Sequence, residues 1–489
     1  MPRHIAAEFG DLLMEYNGRI CPVQTFAKDF TIKLYGKPSY EGLSSEQVLT
    51  GWLFFPSSWE KQPMIKIDGK APQQTLKIQG KYASLDDYYD SYGNYKLKDA
   101  MMCILASDET ESRKAFMAAD EKHNLICSLL YDKALQLYPI ADADNRVTWY
   151  SCADTLPLNT NDDVRLFVKK LQSYMGELAV KQDYATLSDV LLKLKRFQLE
   201  NAGDSLPSQG VIKAENIYNN LNHNRLVAII GIIVAIMLFA FHCYSSAKGR
   251  PVAKAISIAG LTWAIAMAAY LSLVIVLRWI AGQHVPLSIG NEVMLFMAWC
   301  AVMSALIFRK RYFMVLPAGL LIAALAMMVA TMGESNPQVT QLVPVLNSPL
   351  LSAHVTLLML AYLLLAFVML NGMAGIVLHY SGNDNDTQIA RLQANSELLL
   401  YPAVFCLAAG IAIGAVWANV SWGTYWSWDP KEVWALITLM LYALPLHGDS
   451  LSVFRKPMFF HWFSVIAFLS VLFTYFGVNL LLGGLHGYA

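Results

Sequence analysis

Residues 226–244 read LVAIIGIIVAIMLFAFHCY, nineteen positions without an acidic, lysine or arginine side chain. About 20 apolar residues in a helix cross a bilayer core, so this stretch reads as a membrane span. Seven more apolar segments follow, at about 256–278, 292–308, 313–332, 355–378, 401–419, 430–447 and 459–482. Helices are the expected form, because a lipid-exposed backbone must satisfy its own hydrogen bonds. No ten-residue alternation is present, which sets a β-barrel aside.

Outside these segments the composition changes. The chain has 489 residues, 37 basic and 37 acidic, with 55 % hydrophobic and only 15 % charged residues. Soluble proteins average about 25 % charged. Disorder, nucleic-acid binding and a disulfide-dense miniprotein are excluded on those grounds. Residues 1–225 carry 26 basic and 29 acidic side chains, whereas residues 226–489 carry 11 and 8. The expected fold is all-α. Residues 1–225 form a mostly helical extracytoplasmic domain, and residues 226–489 form a polytopic membrane domain of about eight transmembrane helices. Residues 111–138 and 162–197 show apolar positions at helical spacing. Pro207–Gly210 marks a break, and VIKAENIYNNLNHNRL (211–226) reads as a helix leading into the first span.

Loop charge gives the orientation. One set of loops carries Lys248, Arg250, Lys254, Arg309, Lys310, Arg311, Arg391, Arg455 and Lys456, and the other only Arg278 and Lys431. The first set is expected in the cytoplasm, so the 420–430 loop and the C-terminus face outside. Eight spans place residues 1–225 outside as well. MPRHIAAEFGDLL has neither the apolar run nor the cleavage site of a signal peptide. Either an upstream membrane segment takes the domain across, which is the expectation, or the domain is cytoplasmic and the charge rule fails. The four cysteines of this region, Cys21, Cys103, Cys127 and Cys152, have no CxxC spacing. They fit either up to two disulfides or buried free thiols.

Residues 417–434, WANVSWGTYWSWDPKEVW, hold five of the twelve tryptophans. An interfacial belt accounts for any one of them. It accounts less well for Trp422, Trp426 and Trp428 in one short external loop around Gly423. Such a loop can lay indoles on a flat, apolar, aromatic ligand. Asp429 suits an N-cap, Pro430 the first helical position, and Glu432 the capping-box partner. This local role of starting the seventh span is compatible with a ligand role.

His354 opens the fifth span and His486 follows the eighth, both on the outer side. Porphyrin iron takes one or two axial imidazoles, and two histidines flanking a tryptophan loop fit a bis-histidine haem site. His284 is external too and reads either as a third haem contact or, as expected, as a loop histidine. His242, His379 and His447 end spans on the cytoplasmic side, where spacing does not choose among them. His461 begins the eighth span with no evident partner.

At these residues a family resemblance becomes specific. WGTYWSWDPKEVWALI (422–437) resembles the WWD signature of haem-handling proteins in cytochrome c maturation. GVNLLLGGLHGY (477–488) and GQHVPLSIGNE (282–292) are similar to CcsA, also called ResC, of System II. The resemblance covers about residues 226–489. It implies that the WWD loop, including Trp422, Trp426, Trp428 and Asp429, holds haem b as a bound substrate on the outer face. The axial ligands it implies are His354 and His486, and it gives His447 to a transmembrane haem site. It also implies a CcsB (ResB) partner, an apocytochrome c whose CxxCH receives the haem, and a lipid setting in a bacterial inner membrane. No nucleic acid is expected. LHGY stands where the family usually has LHSY, which removes no ligand. Residues 8–28 and 213–222 resemble the segment preceding CcsA in some fused proteins, and no CcsB-like half precedes the spans. The chain then reads as part of a holocytochrome c synthase. A haem transporter without attachment activity and a non-catalytic scaffold are the competing readings. Eight spans and LHGY argue against a System I protein.

Overall fold

The computed structural model describes residues 1–98, 100–101, 110–221, 223–332, 339, 348–381 and 386–482. Two compact units divide between Asn220 and Leu221.

The first unit is mostly helical, but among the described residues it also holds four two-stranded antiparallel pairs. The periodicity of the long helices masks these short pairs. Their turns are nevertheless written in the sequence. Asn17–Gly18 joins Leu13–Tyr16 to Arg19–Pro22, and Glu41–Gly42 joins Ser39–Tyr40 to Leu43–Ser44. All four turn residues have positive φ, between 47° and 83°, as a two-residue type I′ turn requires. The core gathers Phe9, Phe30, Trp52, Tyr88 and Tyr138. Gln198 is fully buried within it. Its side-chain amide accepts from the Leu13 N–H (2.9 Å) and donates to the Leu13 and Leu137 carbonyls (2.7 and 2.9 Å), so one side chain fixes two hairpins to the helix Tyr184–Asn201. Cys21, Cys127 and Cys152 are free thiols; Cys103 lies outside the described residues.

The last helix of this unit, Gln209–Leu221, is held by a buried polar network. Arg19 donates two hydrogen bonds to Glu215 (2.7 and 2.6 Å), and the Thr25 hydroxyl donates a third (2.6 Å). The Asn219 amide donates to Thr25 (2.9 Å), and Lys28 donates to the Asn219 carbonyl. Burial lowers the Lys28 pKa to about 8. The helix does not run unbroken into the first apolar helix, which starts at Asn224. Removing one member of a buried ion pair leaves the other desolvated, at a cost of about 3–5 kcal/mol. Glu215→Ala is therefore expected to destabilise the first unit by that amount. Protease susceptibility within 1–220 at graded urea measures it.

The second unit places a helix at every one of the eight apolar segments. Six have the length and hydropathy of a membrane span: Asn224–Ala247, Lys254–Gly282, Gly290–Phe308, Pro349–Tyr380, Asp386–Trp422 and Pro457–Val478. The chain is a multi-pass membrane protein by that measure. The other two segments form shorter helices, Val315–Ala330 and Pro430–Ala443. The first is enclosed by its neighbours, with Leu320, Ala323, Ala324 and Met327 fully buried. The second continues as a 3₁₀ turn through His447. Asp386–Trp422 begins well before the apolar segment at 401, adding a polar stretch with Gln388, Arg391 and Gln393. The final helix widens into π geometry over Phe473–Leu482.

By loop position Arg278 is expected to be an external charge. It is instead buried, 2.7 Å from Glu292, which also accepts from the Ser288 N–H (3.1 Å). The pair ties the helix Lys254–Gly282 to Gly290–Phe308 and neutralises one of the two basic residues on that side.

Candidate functional site

The site is built where two long helices cross beside the tryptophan loop. Residues 410–414 read GIAIG, a small-xxx-small face that lets helices approach closely. A methyl group on Gly414 would lie 2.5 Å from the His354 ring, and one on Gly410 would lie 2.9 Å from Leu358. The helix Pro349–Tyr380 thus seats His354 and Leu358, one turn apart, on the two glycines. The same approach brings the His354 Nδ1 to 2.7 Å from the Gly410 carbonyl oxygen. A carbonyl only accepts, so Nδ1 carries the proton. In the neutral ring the lone pair is then on Nε2, the arrangement that a metal-ligating histidine needs.

His354 lines a cavity of about 190 Å³ together with Tyr362, Trp417, Tyr425, Trp426, Lys431 and Tyr475. Its walls come from the two crossing helices, the loop, the start of Pro430–Ala443 and the π segment. Trp417 and Tyr362 are buried. The helix Asp386–Trp422 stops at Gly423, whose N–H donates to the Asn419 carbonyl (2.9 Å) at φ 80°. Glycine is the residue suited to that left-handed position. The loop exits through the expected capping box. Asp429 accepts from the Lys431 N–H (2.9 Å), and Glu432 accepts from the N–H groups of Asp429 (3.2 Å) and Ser427 (2.9 Å).

That clamp encloses Trp428, which has φ 58°. A bulky residue in the left-handed region is strained by about 1–3 kcal/mol. Trp428 is also 73 % exposed. The hydrogen bonds of Ser427 N–H and Asp429 N–H to Glu432 hold the backbone on both sides of it, while the indole itself stays largely unpacked. Trp428→Gly is expected to raise thermal stability, reading as an upward shift of the unfolding midpoint, because glycine adopts this φ without strain.

Of the three tryptophans expected in the loop, Trp422 is instead the last residue of the helix Asp386–Trp422, and the three are arranged differently. Trp426 lines the cavity, and Trp428 meets it edge-on at 6.1 Å. Trp422 packs edge-on against Trp417 at 4.9 Å and is not among the lining residues. Asp429 is buried in the capping box. His447 is exposed beyond the far end of Pro430–Ala443, with its Nδ1 3.0 Å from the Ala443 carbonyl. Fourteen helical residues at 1.5 Å each put it roughly 20 Å along the axis from the loop, so it belongs to a separate locality. His486 lies outside the described residues. His284 contacts the Val285 carbonyl within its own loop. His461 is fully buried, its Nε2 3.1 Å from the Ile389 carbonyl and its ring against Gly375.

Trp417, Tyr362, Tyr425, Tyr475, Lys431 and the glycine pair were not singled out from the sequence as site residues. The signal available for the glycines was their four-residue spacing inside an apolar helix.

Residues 287–486 match the family described as Cytochrome C assembly protein. CcsA of Prochlorococcus marinus strain MIT 9301, a cytochrome c biogenesis protein, is 31 % identical over 309 residues, covering 56 % of this chain and 97 % of that protein. The chain belongs to the CcsA family of cytochrome c biogenesis proteins. CcsA of Mesostigma viride is 34 % identical over 253 residues, covering 44 % of the chain and 81 % of the relative. Protein NrfI of Wolinella succinogenes is 28 % identical over an alignment of 502 residues that takes in the whole chain and 55 % of NrfI. The chain thus spans about half the length of NrfI. The NrfI similarity extends through the first unit, whereas the Cytochrome C assembly match lies within the second. Within this CcsA-family chain, the His354 cavity and the tryptophan loop both fall inside the matched region.

Proposed function

We propose that this chain accepts haem at the His354 cavity and presents it for covalent attachment to the CxxCH motif of an apocytochrome c. The observation that carries the reading is the Nδ1–H of His354 donated to the Gly410 carbonyl, which leaves Nε2 as the ligating atom. His354 and His486 supply the axial imidazoles. Trp426 and Trp417 offer indole surface beside the iron ligand, and Trp428 extends that surface to the exposed rim. Lys431 and Glu432 both line the cavity wall, and the lysine ammonium suits a porphyrin propionate. His447, remote from this cavity, serves a second haem position nearer the other end of the helices.

The chain positions the reactants, while the reaction is that of the porphyrin and the thiols. Each cysteine S–H adds across one vinyl C=C, so two thioethers form without an oxidant. The incoming histidine of CxxCH replaces one axial imidazole. The setting is a bacterial inner membrane, with eight crossings and the tryptophan loop and residues 1–220 on the outer side. A CcsB-type membrane protein completes the machine.

Co-expression with a CcsB-type partner and an apocytochrome c tests the proposal. The expected result is covalent haem on the cytochrome, surviving acid–acetone extraction, and its loss in the His354→Ala chain. Haem appearing outside but never covalently bound would instead make the chain a transporter.

A further inference from the structure

A second cavity lies at the opposite end of the second unit, and the proposed haem chemistry does not use it. It measures about 470 Å³ and is lined by Arg250, Arg309 and Arg391, with His242, Ser246 and Gln388 among its other walls. The three arginines come from three separate places. Arg250 follows the helix Asn224–Ala247, Arg309 follows Gly290–Phe308, and Arg391 is on the first turns of Asp386–Trp422. The Ser246 hydroxyl bonds Gln388, fastening two of these elements across the cavity.

Three guanidinium groups around one small volume repel each other unless an anion sits between them. Among the described residues, no carboxylate lines the cavity and none of the three arginines is ion-paired. Two other arginines at this end do have partners. Arg455 pairs with Asp449 at 2.7 Å, and Arg311 lies over the Tyr312 ring at 5.8 Å. The bias of basic residues to one membrane face scatters charge along the rim. It does not require three of them to converge on one concavity. The remaining walls are apolar, including Val252, Leu261, Phe313 and Leu316. Guanidinium groups match phosphate oxygens in bidentate geometry, and basic pockets between membrane helices suit phospholipid headgroups.

We propose that this cavity is a binding site for the phosphates of an anionic phospholipid bearing two phosphodiesters, with the apolar wall against its acyl chains. Bound there, the lipid bridges the helices Asn224–Ala247, Gly290–Phe308 and Asp386–Trp422.

The test is a thermal-shift titration of the full chain, delipidated in neutral detergent, with cardiolipin, phosphatidylcholine and inorganic phosphate. Cardiolipin is expected to raise the unfolding midpoint saturably, and the other two are not. Arg250→Gln, Arg309→Gln and Arg391→Gln are each expected to raise the half-saturating cardiolipin concentration roughly fivefold, and the triple variant about a hundredfold. Lys310→Gln and Arg455→Gln, outside the cavity, are expected to leave it unchanged. The single variants carry the test if the triple variant does not purify as one species. The proposal is overturned if the cavity variants keep the wild-type response or if the two outside variants lose as much as they do. It is also overturned if inorganic phosphate saturates at the same concentration as the lipid, which would make this a site for a soluble anion.

Discussion

Replacement of His354 by glycine is expected to strip haem from the tryptophan-loop cavity of the purified chain, and added imidazole is expected to restore it. The expectation rests on two features of the fold. The ring is fixed in place by the Gly410 carbonyl at 2.7 Å, and the same hydrogen bond puts the lone pair on Nε2. Loss of an outer partner of a metal ligand costs about 10–100-fold in affinity, and loss of the ligand itself is expected to exceed that range. The glycine variant leaves room for free imidazole at the former ring position. Its rescue distinguishes a lost ligand from a collapsed cavity, because a collapsed cavity gives imidazole nowhere to sit. Haem titration followed at the Soret band, with and without imidazole, gives both numbers. His284→Gly, whose ring contacts the Val285 carbonyl of its own loop, is expected to leave this titration unchanged.

Gly414→Val is expected to do nearly the same damage without touching a ligand. The Cβ of any residue at 414 would fall 2.5 Å from the Cε1 and Nδ1 atoms of His354, closer than real side chains approach. Either the ring leaves the Gly410 carbonyl or the two helices separate. Overpacking of this kind costs about 1–3 kcal/mol of stability. The affinity loss is expected to reach the 10–100-fold typical of a misoriented ligand. Gly448→Ala is the matched control, since its added methyl would meet nothing closer than 3.6 Å. Unfolding midpoints and haem titrations of the two variants separate the stability effect from the effect on the ligand. A Gly414→Val chain that binds haem as the wild type does would show that the His354 geometry is irrelevant to binding.

The sequence made some parts of this arrangement legible and left others hidden, for identifiable reasons. Apolar run length marked all eight helices of the second unit, because a helix in lipid has no other way to satisfy its backbone. The Asp429–Glu432 cap was legible because it is local, involving residues three apart. The hairpins at Asn17–Gly18 and Glu41–Gly42 were legible in principle, but their two- to four-residue strands carry too little periodicity to stand out beside long helices. Arg278 misled as a loop charge because its partner, Glu292, sits across a turn on the next helix. The tautomer of His354 could not be read at all. It depends on a carbonyl 56 positions away and on two glycines whose meaning emerges only when the helices cross. The tryptophans were visible as a cluster, yet which of them lines the cavity depends on how the helix end and the loop pack, which composition does not encode.

His354 Nε2 is proposed to hold the haem iron. Pulsed electron paramagnetic resonance of the ferric chain, grown with ¹⁵N-histidine, measures directly how many histidine nitrogens coordinate the iron. The account predicts strongly coupled ¹⁵N in the wild type. It predicts one coordinated ¹⁵N fewer in His354→Gly rescued with unlabelled imidazole, with the ¹⁴N of that imidazole in its place. An unchanged ¹⁵N signal in the rescued variant would contradict it.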